Sequence, residues 1–192
     1  MPDYVTSPFP LSSGEVLPEI RIAWRGYGTL SPARDNAILV THGLTSSHLA
    51  AEEPTLDRRI GWGREQIGPG LLYDTDRYFV ISTNVLGSAY GSTSAADRNP
   101  ETGQPWGPDF PRVTMEDVVR AQALLVESLG ISRLVAVAGC SLGGFQAWQW
   151  AVSYPDRMGR VIATDTAAHD SFDLGAAIPG LLERFAAAPG WN

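Results

Sequence analysis

Gly139-Cys140-Ser141-Leu142-Gly143 has the spacing Gly-x-Ser-x-Gly, which can present a serine hydroxyl as a nucleophile. An apolar run at 134–138 precedes it, and an apolar helical stretch at 142–154 follows. A strand that turns abruptly into a helix holds its apex residue strained, above the sheet and open to substrate. Glycines are expected on either side because a side chain there would clash. The helix also turns its unpaired N–H groups and positive dipole end toward the apex. The Leu142 N–H is therefore expected to bind the oxyanion of a tetrahedral intermediate. A second donor is expected from His42-Gly43-Leu44, which follows the buried run at 37–41. There Gly43 would let the backbone approach closely and the Leu44 N–H would donate.

Each of these residues has a plainer reading. Ser141 can be an ordinary helix N-cap. Cys140 reads as a small buried packing residue rather than a reactive thiol. His42 reads as a residue orienting its loop rather than as a base, and His48 as a surface or loop-packing residue. His169, with Asp170 beside it and Asp165 shortly before, offers a base and an acid. In Gly-x-Ser-x-Gly folds, however, the triad order is Ser, then acid, then His, with the histidine after the final strands. The sequence thus shows a nucleophile and an oxyanion hole without a convincing base, and a serine hydroxyl is weak without one. Either the chain is inactive or the missing groups lie on another polypeptide.

The elements that must position these residues follow from periodicity. Residues 20–27 alternate as a half-buried strand. Apolar runs at 37–41 and 134–138 read as buried strands of a parallel sheet, and 78–82 and 160–163 as further strands. Thr114 and Asp117 mark the start of a helix through a capping box, with Val118, Ala121, Leu124, Leu125 and Leu129 on one face and Gly130 as the stop. A second helix over 142–154 is expected to bury Phe145, Trp148 and Val152, with Pro155 beyond its end. Four prolines between 92 and 112 exclude a persistent regular element there. Strands alternating with helices predict an α/β fold with a mostly parallel sheet and flanking helices.

Composition narrows the function classes. A chain of 192 residues predicts one domain. The net charge is −7, which argues against nucleic acid as the main partner. All 14 basic residues are arginine, which we read as compositional bias. The single cysteine, Cys140, excludes an internal disulfide framework and a cysteine-built zinc cluster, and no metal site is expected. No apolar run reaches membrane-spanning length and no secretory pattern opens the sequence, so a cytoplasmic protein is expected.

The chain resembles the homoserine O-acetyltransferase family of the α/β-hydrolase superfamily, which includes serine and deacetylcephalosporin C acetyltransferases and some esterases. The resemblance rests on Tyr27-Gly28-Thr29-Leu30, His42-Gly43-Leu44-Thr45, Asp76-Arg77-Tyr78-Phe79-Val80, Asn84-Val85-Leu86-Gly87 and Tyr90-Gly91-Ser92-Thr93. It continues through Gly107-Pro108-Asp109-Phe110-Pro111, the elbow with Gly144, and Tyr154-Pro155-Asp156. Where the family's elbow commonly reads Gly-Gly-Ser-Met-Gly-Gly, this chain has Cys140 and Leu142. The resemblance implies an incomplete α/β-hydrolase fold. Residues 1–170 would be the N-terminal portion of one catalytic domain and 171–192 the start of a helical lid. It implies acetyl-CoA as co-substrate, no bound cofactor, a homoserine-like or other small alcohol acceptor, and an acetyl-Ser141 intermediate. An ester hydrolase or a non-catalytic subunit is the alternative. A sheet ending near Val161-Ile162 would leave an edge and apolar faces uncovered. A second polypeptide carrying the triad Asp and His is therefore expected, with a homodimer of that assembly as a further expectation.

Overall fold

The computed structural model describes residues 3–53, 61–167 and 183. Its centre is a five-stranded sheet of β1 (Trp24–Tyr27), β2 (Ala37–Thr41), β3 (Phe79–Thr83), β4 (Ala136–Cys140) and β5 (Val161–Thr164), in the order β5-β4-β2-β3-β1. Strands β2 to β5 run parallel and β1 pairs antiparallel with β3. The sheet is thus mostly parallel with flanking helices, as the apolar runs predict.

The two faces of the sheet are covered differently. Against one lie α1 (Met115–Ser128) and α2 (Leu142–Ser153), packed on Leu39, Ile81 and Val137. The other face, with Ile38, Val40, Val80 and Ala138, is covered by Ala50, Ile67 and Tyr73 from the long connection after β2. Helix α1 begins with the expected capping box: the Thr114 hydroxyl accepts from the Asp117 N–H and the Asp117 carboxylate accepts from the Thr114 N–H. Asp117 is fully buried and also accepts from the Ser12 N–H and hydroxyl, at 2.8 and 2.9 Å. That ties the N-terminal segment to the helix.

Several boundaries differ from expectation. The strand expected over 20–27 is two, Ile20–Ile22 and β1. Ile20–Ile22 pairs with Tyr4–Thr6, while Ala23 bonds instead to the 84–92 loop through Asn84 and Ser92. The strand before the elbow runs to Cys140, because Gly139 and Cys140 pair with Ala163 and Thr164. On α2 the buried face is Gly143, Gly144, Gln146, Ala147 and Trp150, while Trp148 and Val152 are 41% and 76% exposed. The helix is apolar nearly all round, so periodicity did not choose its face. Close approach to β2 did, which only small residues allow. Ile162 on edge strand β5 is 42% exposed. Among the described residues no strand pairs with the outer side of β5. The segment 171–192, expected to begin a lid, lies outside the described residues apart from Glu183.

Candidate active site

Register brings the expected residues together. Gly139 on β4 pairs with Thr41 on the neighbouring β2, so the two strands leave the sheet side by side. Two residues beyond each lie Ser141 and Gly43. A Cβ built on Gly43 would stand 3.8 Å from the Ser141 Cβ, which is ordinary contact. The two loops abut at the carboxyl edge of a parallel sheet, where α/β folds bind ligands.

Ser141 takes φ 55° and ψ −122°, a conformation costing a non-glycine residue about 1–3 kcal/mol. Surrounding bonds hold it there. Its N–H donates to the Thr164 carbonyl at 3.0 Å, and its carbonyl accepts from the Gly144 N–H at 2.9 Å. The hydroxyl caps nothing, which argues against an ordinary N-cap, and the residue is exposed. The flanking glycines are required by space. A Cβ on Gly139 would lie 2.2 Å from the Gly143 oxygen, and one on Gly143 would lie 2.1 Å from the Thr41 oxygen. The Thr41 hydroxyl reaches the Gly143 carbonyl at 2.8 Å, which fastens the elbow to β2. Gly43, by contrast, has room for a side chain.

Leu142 begins α2, and its N–H has no partner among the described residues; the same holds for the Leu44 N–H. Both residues line one cleft of about 350 Å³ with His42, Leu86, Phe110 and Val113. A larger cleft of about 510 Å³ lies elsewhere, among Asp3, Arg25, His48 and Tyr90, and includes none of the elbow.

His42 is buried and both its ring nitrogens are engaged. Nδ1–H donates to the Gly43 carbonyl at 2.7 Å and Nε2 accepts from the Val85 N–H at 3.3 Å. Burial holds its pKa below the ordinary value. It orients the loop, and no lone pair is left for the Ser141 proton. His48 is also buried, packed beneath the other cleft, and burial together with the Arg25 charge pushes it down to about 4. Cys140 is exposed, contrary to expectation, because the strand reaches the elbow; its thiol points at the Asp165 carboxylate, 3.4 Å away. Asp165, itself at φ 49°, thus faces a thiol. His169 lies outside the described residues. Among the described residues no cluster of His, Cys, Asp and Glu could hold a metal ion.

Sequence reasoning missed Gln122 and Gln146, both fully buried beneath the elbow. A polar residue inside a helix reads as solvent-facing, so only the buried neighbours at helical spacing could have marked them.

Comparison with known proteins agrees with this geometry. The family described as the alpha/beta hydrolase fold matches residues 36–189. The chain is 49% identical over 162 residues to a homoserine O-acetyltransferase of Citrifermentans bemidjiense, covering 84% of this chain and 44% of that protein. It is 49% identical over 164 residues to a homoserine O-succinyltransferase of Alkalilimnicola ehrlichii, covering 83% and 42%. A crystallised esterase superposes with a TM-score of 0.84 at 36% identity, covering 99% of this chain and 54% of that one. The chain therefore spans less than half the length of these curated relatives.

Proposed function

The chain belongs to the alpha/beta hydrolase fold family, and from that premise we propose that it carries the nucleophile and oxyanion hole of an O-acyltransferase. The observation that carries the reading is Ser141, exposed and strained at the strand-to-helix apex, with Leu44 and Leu142, whose N–H groups have no partner among the described residues, lining one cleft. In this reading the Ser141 hydroxyl attacks the thioester carbonyl of acetyl-CoA. The two N–H groups bind the oxyanion, which is worth several kcal/mol in the transition state. The C–S bond breaks, the serine proton passes through a base to the departing thiolate, and an acetyl-serine ester remains. The hydroxyl of a homoserine-like alcohol then attacks that ester and regenerates the serine. Similarity to homoserine O-acyltransferases supports this acceptor class.

Neither described histidine can serve as the base: His42 is fully engaged and His48 lines the other cleft. We assign the triad Asp and His to a further segment or a second polypeptide, seated on β5 and on α2 at Trp148 and Val152. A homodimer of that assembly belongs to the same proposal. No described helix is long and apolar enough to cross a membrane. Acyl-CoA chemistry of this kind fits the cytoplasm.

The test supplies acetyl-CoA with and without L-homoserine and follows free thiol and O-acetylhomoserine. Thiol release that depends on homoserine supports the transferase. The resemblance to a crystallised esterase supports a second reading, ester hydrolysis, in which acetate forms whether or not the alcohol is present. Succinyl-CoA as the donor distinguishes the two acyl classes that the relatives' names carry.

A further inference from the structure

Two glutamines lie in the core between the helices, Gln122 on α1 and Gln146 on α2, at 1% and 0% exposure. Every polar atom of both amides is engaged. The Gln122 amide nitrogen donates to the Thr83 hydroxyl at 3.1 Å and to the Gln146 oxygen at 2.7 Å. The Gln122 oxygen accepts from the Trp150 indole N–H at 2.8 Å. The Gln146 amide nitrogen donates to the carbonyls of His42 and Leu142, both at 3.3 Å. Those carbonyls belong to the two segments that carry the unpaired N–H groups. One opens the Gly43-Leu44 loop and the other is the first residue of α2. The third anchor, Thr83, ends β3 just before Val85, whose N–H fixes the His42 ring.

We propose that Gln146, held in place by Gln122, is a positioning residue that sets the spacing of the Leu44 and Leu142 N–H groups. The inference rests on the oxyanion role proposed above. Stability alone gives no reason for an amide here, since an apolar pair of similar shape can be as stable as a buried hydrogen-bonded one. What the amide adds is direction. A single planar group reaches both sides of the oxyanion site from below, and a satisfied buried network holds its members in one arrangement. Oxyanion donors act only when held within about 0.5 Å of the productive geometry.

The test compares the wild-type protein with Gln146→Met and Gln146→Glu, each with the segment that carries the base supplied in cis or in trans, using p-nitrophenyl acetate and thermal unfolding. Gln146→Met keeps the volume and loses the donors. It is expected to lower kcat by about 10–100-fold, with KM within about twofold of wild type. Gln146→Glu, protonated because it is buried, keeps an acceptor for Gln122 and one O–H donor for one of the two carbonyls, so it should retain more activity than Gln146→Met at low pH. It should lose activity as pH rises through its carboxyl pKa, a descending limb that wild type lacks. Equal kcat in folded Gln146→Met, or a Gln146→Glu profile superimposable on wild type, would overturn the proposal. A crystal structure of each variant gives a readout independent of turnover. The Leu44-to-Leu142 N–N separation should change by about 0.5 Å or more in Gln146→Met and by less in Gln146→Glu. An unchanged separation in Gln146→Met would equally overturn the positioning role. Absence of Ser141 acylation in wild-type protein with the completing segment supplied would sink the oxyanion reading instead, and the crystallographic arm would still decide whether Gln146 sets the spacing.

Discussion

Ser141, Leu44 and Leu142 divide the proposed chemistry between a side chain and two backbone groups, and substitutions should separate the two kinds. Leu142→Met conserves volume and leaves the N–H, so it should keep most activity. Leu142→Pro removes the donor and should cost about 2.7–4 kcal/mol of transition-state binding in kcat/KM, plus any folding cost. If Leu142→Met were as inactive as Leu142→Pro, the backbone-donor account would be wrong. The buried histidines carry a separate prediction. His48 is held down to about 4, against about 6.5 for a free ring. Below about 6.5 the unfolded chain takes up a proton that the folded chain refuses until about 4. Stability should therefore be full above that window and fall as pH drops through it. His42 is shifted in the same direction and adds to the loss. Thermal midpoints between pH 7 and 4 check this, and His48→Leu should flatten part of the slope. An unchanged slope in that variant would remove His48 as the cause.

At the scale of elements, the elbow depends on close approach between α2 and β2. Gly143→Ala would drive a Cβ to 2.1 Å from the Thr41 backbone oxygen, with no flexible atom to yield. It should destabilise the fold by about 1–3 kcal/mol or more and disturb Ser141. Gly43→Ala meets only ordinary contacts at 3.8 Å and should fold almost as wild type does. Chemical denaturation of the two variants measures the contrast, and equal stabilities would contradict the packing account. Much of this architecture was legible in the sequence. The apolar runs at 37–41 and 78–82, found as Ala37–Thr41 and Phe79–Thr83, the Thr114 cap and the strand–Ser–helix order all follow from local pattern. Less legible was anything decided by distant partners. The short strands Tyr4–Thr6, Phe9–Pro10 and Val16–Leu17 are too brief for periodicity to register. Cys140 looks like loop but pairs in the sheet. Phe145, Trp148 and Val152 look like a buried stripe, yet the glycine face of α2 wins because only it can reach β2. Gln122 and Gln146 were invisible because their partners lie on four different segments.

Among the described residues the sheet runs from β1 at one edge to β5 at the other. Just before β1 the Ile20–Ile22 strand pairs with Tyr4–Thr6, and Asp117 fastens the N-terminal segment to α1 through Ser12. At the β5 edge, which no described strand pairs, Ile162 is exposed, and α2 exposes Trp148 and Val152. The exposed apolar surface and the lack of a base among the described residues call for the same remedy. In the proposed account one further segment both covers that surface and brings the Asp and His to Ser141. The central claim remains that Ser141 becomes acylated, and peptide mapping after brief reaction with acetyl-CoA tests it most directly. The reaction should be run with that completing segment supplied in cis or in trans. We predict one acetyl group per chain, esterified to Ser141, discharged by an alcohol acceptor and absent from a folded Ser141→Ala variant. That variant's turnover should fall by about 10³-fold or more. Acetyl carried by the neighbouring Cys140 thiol, or near-normal turnover by Ser141→Ala, would contradict the account.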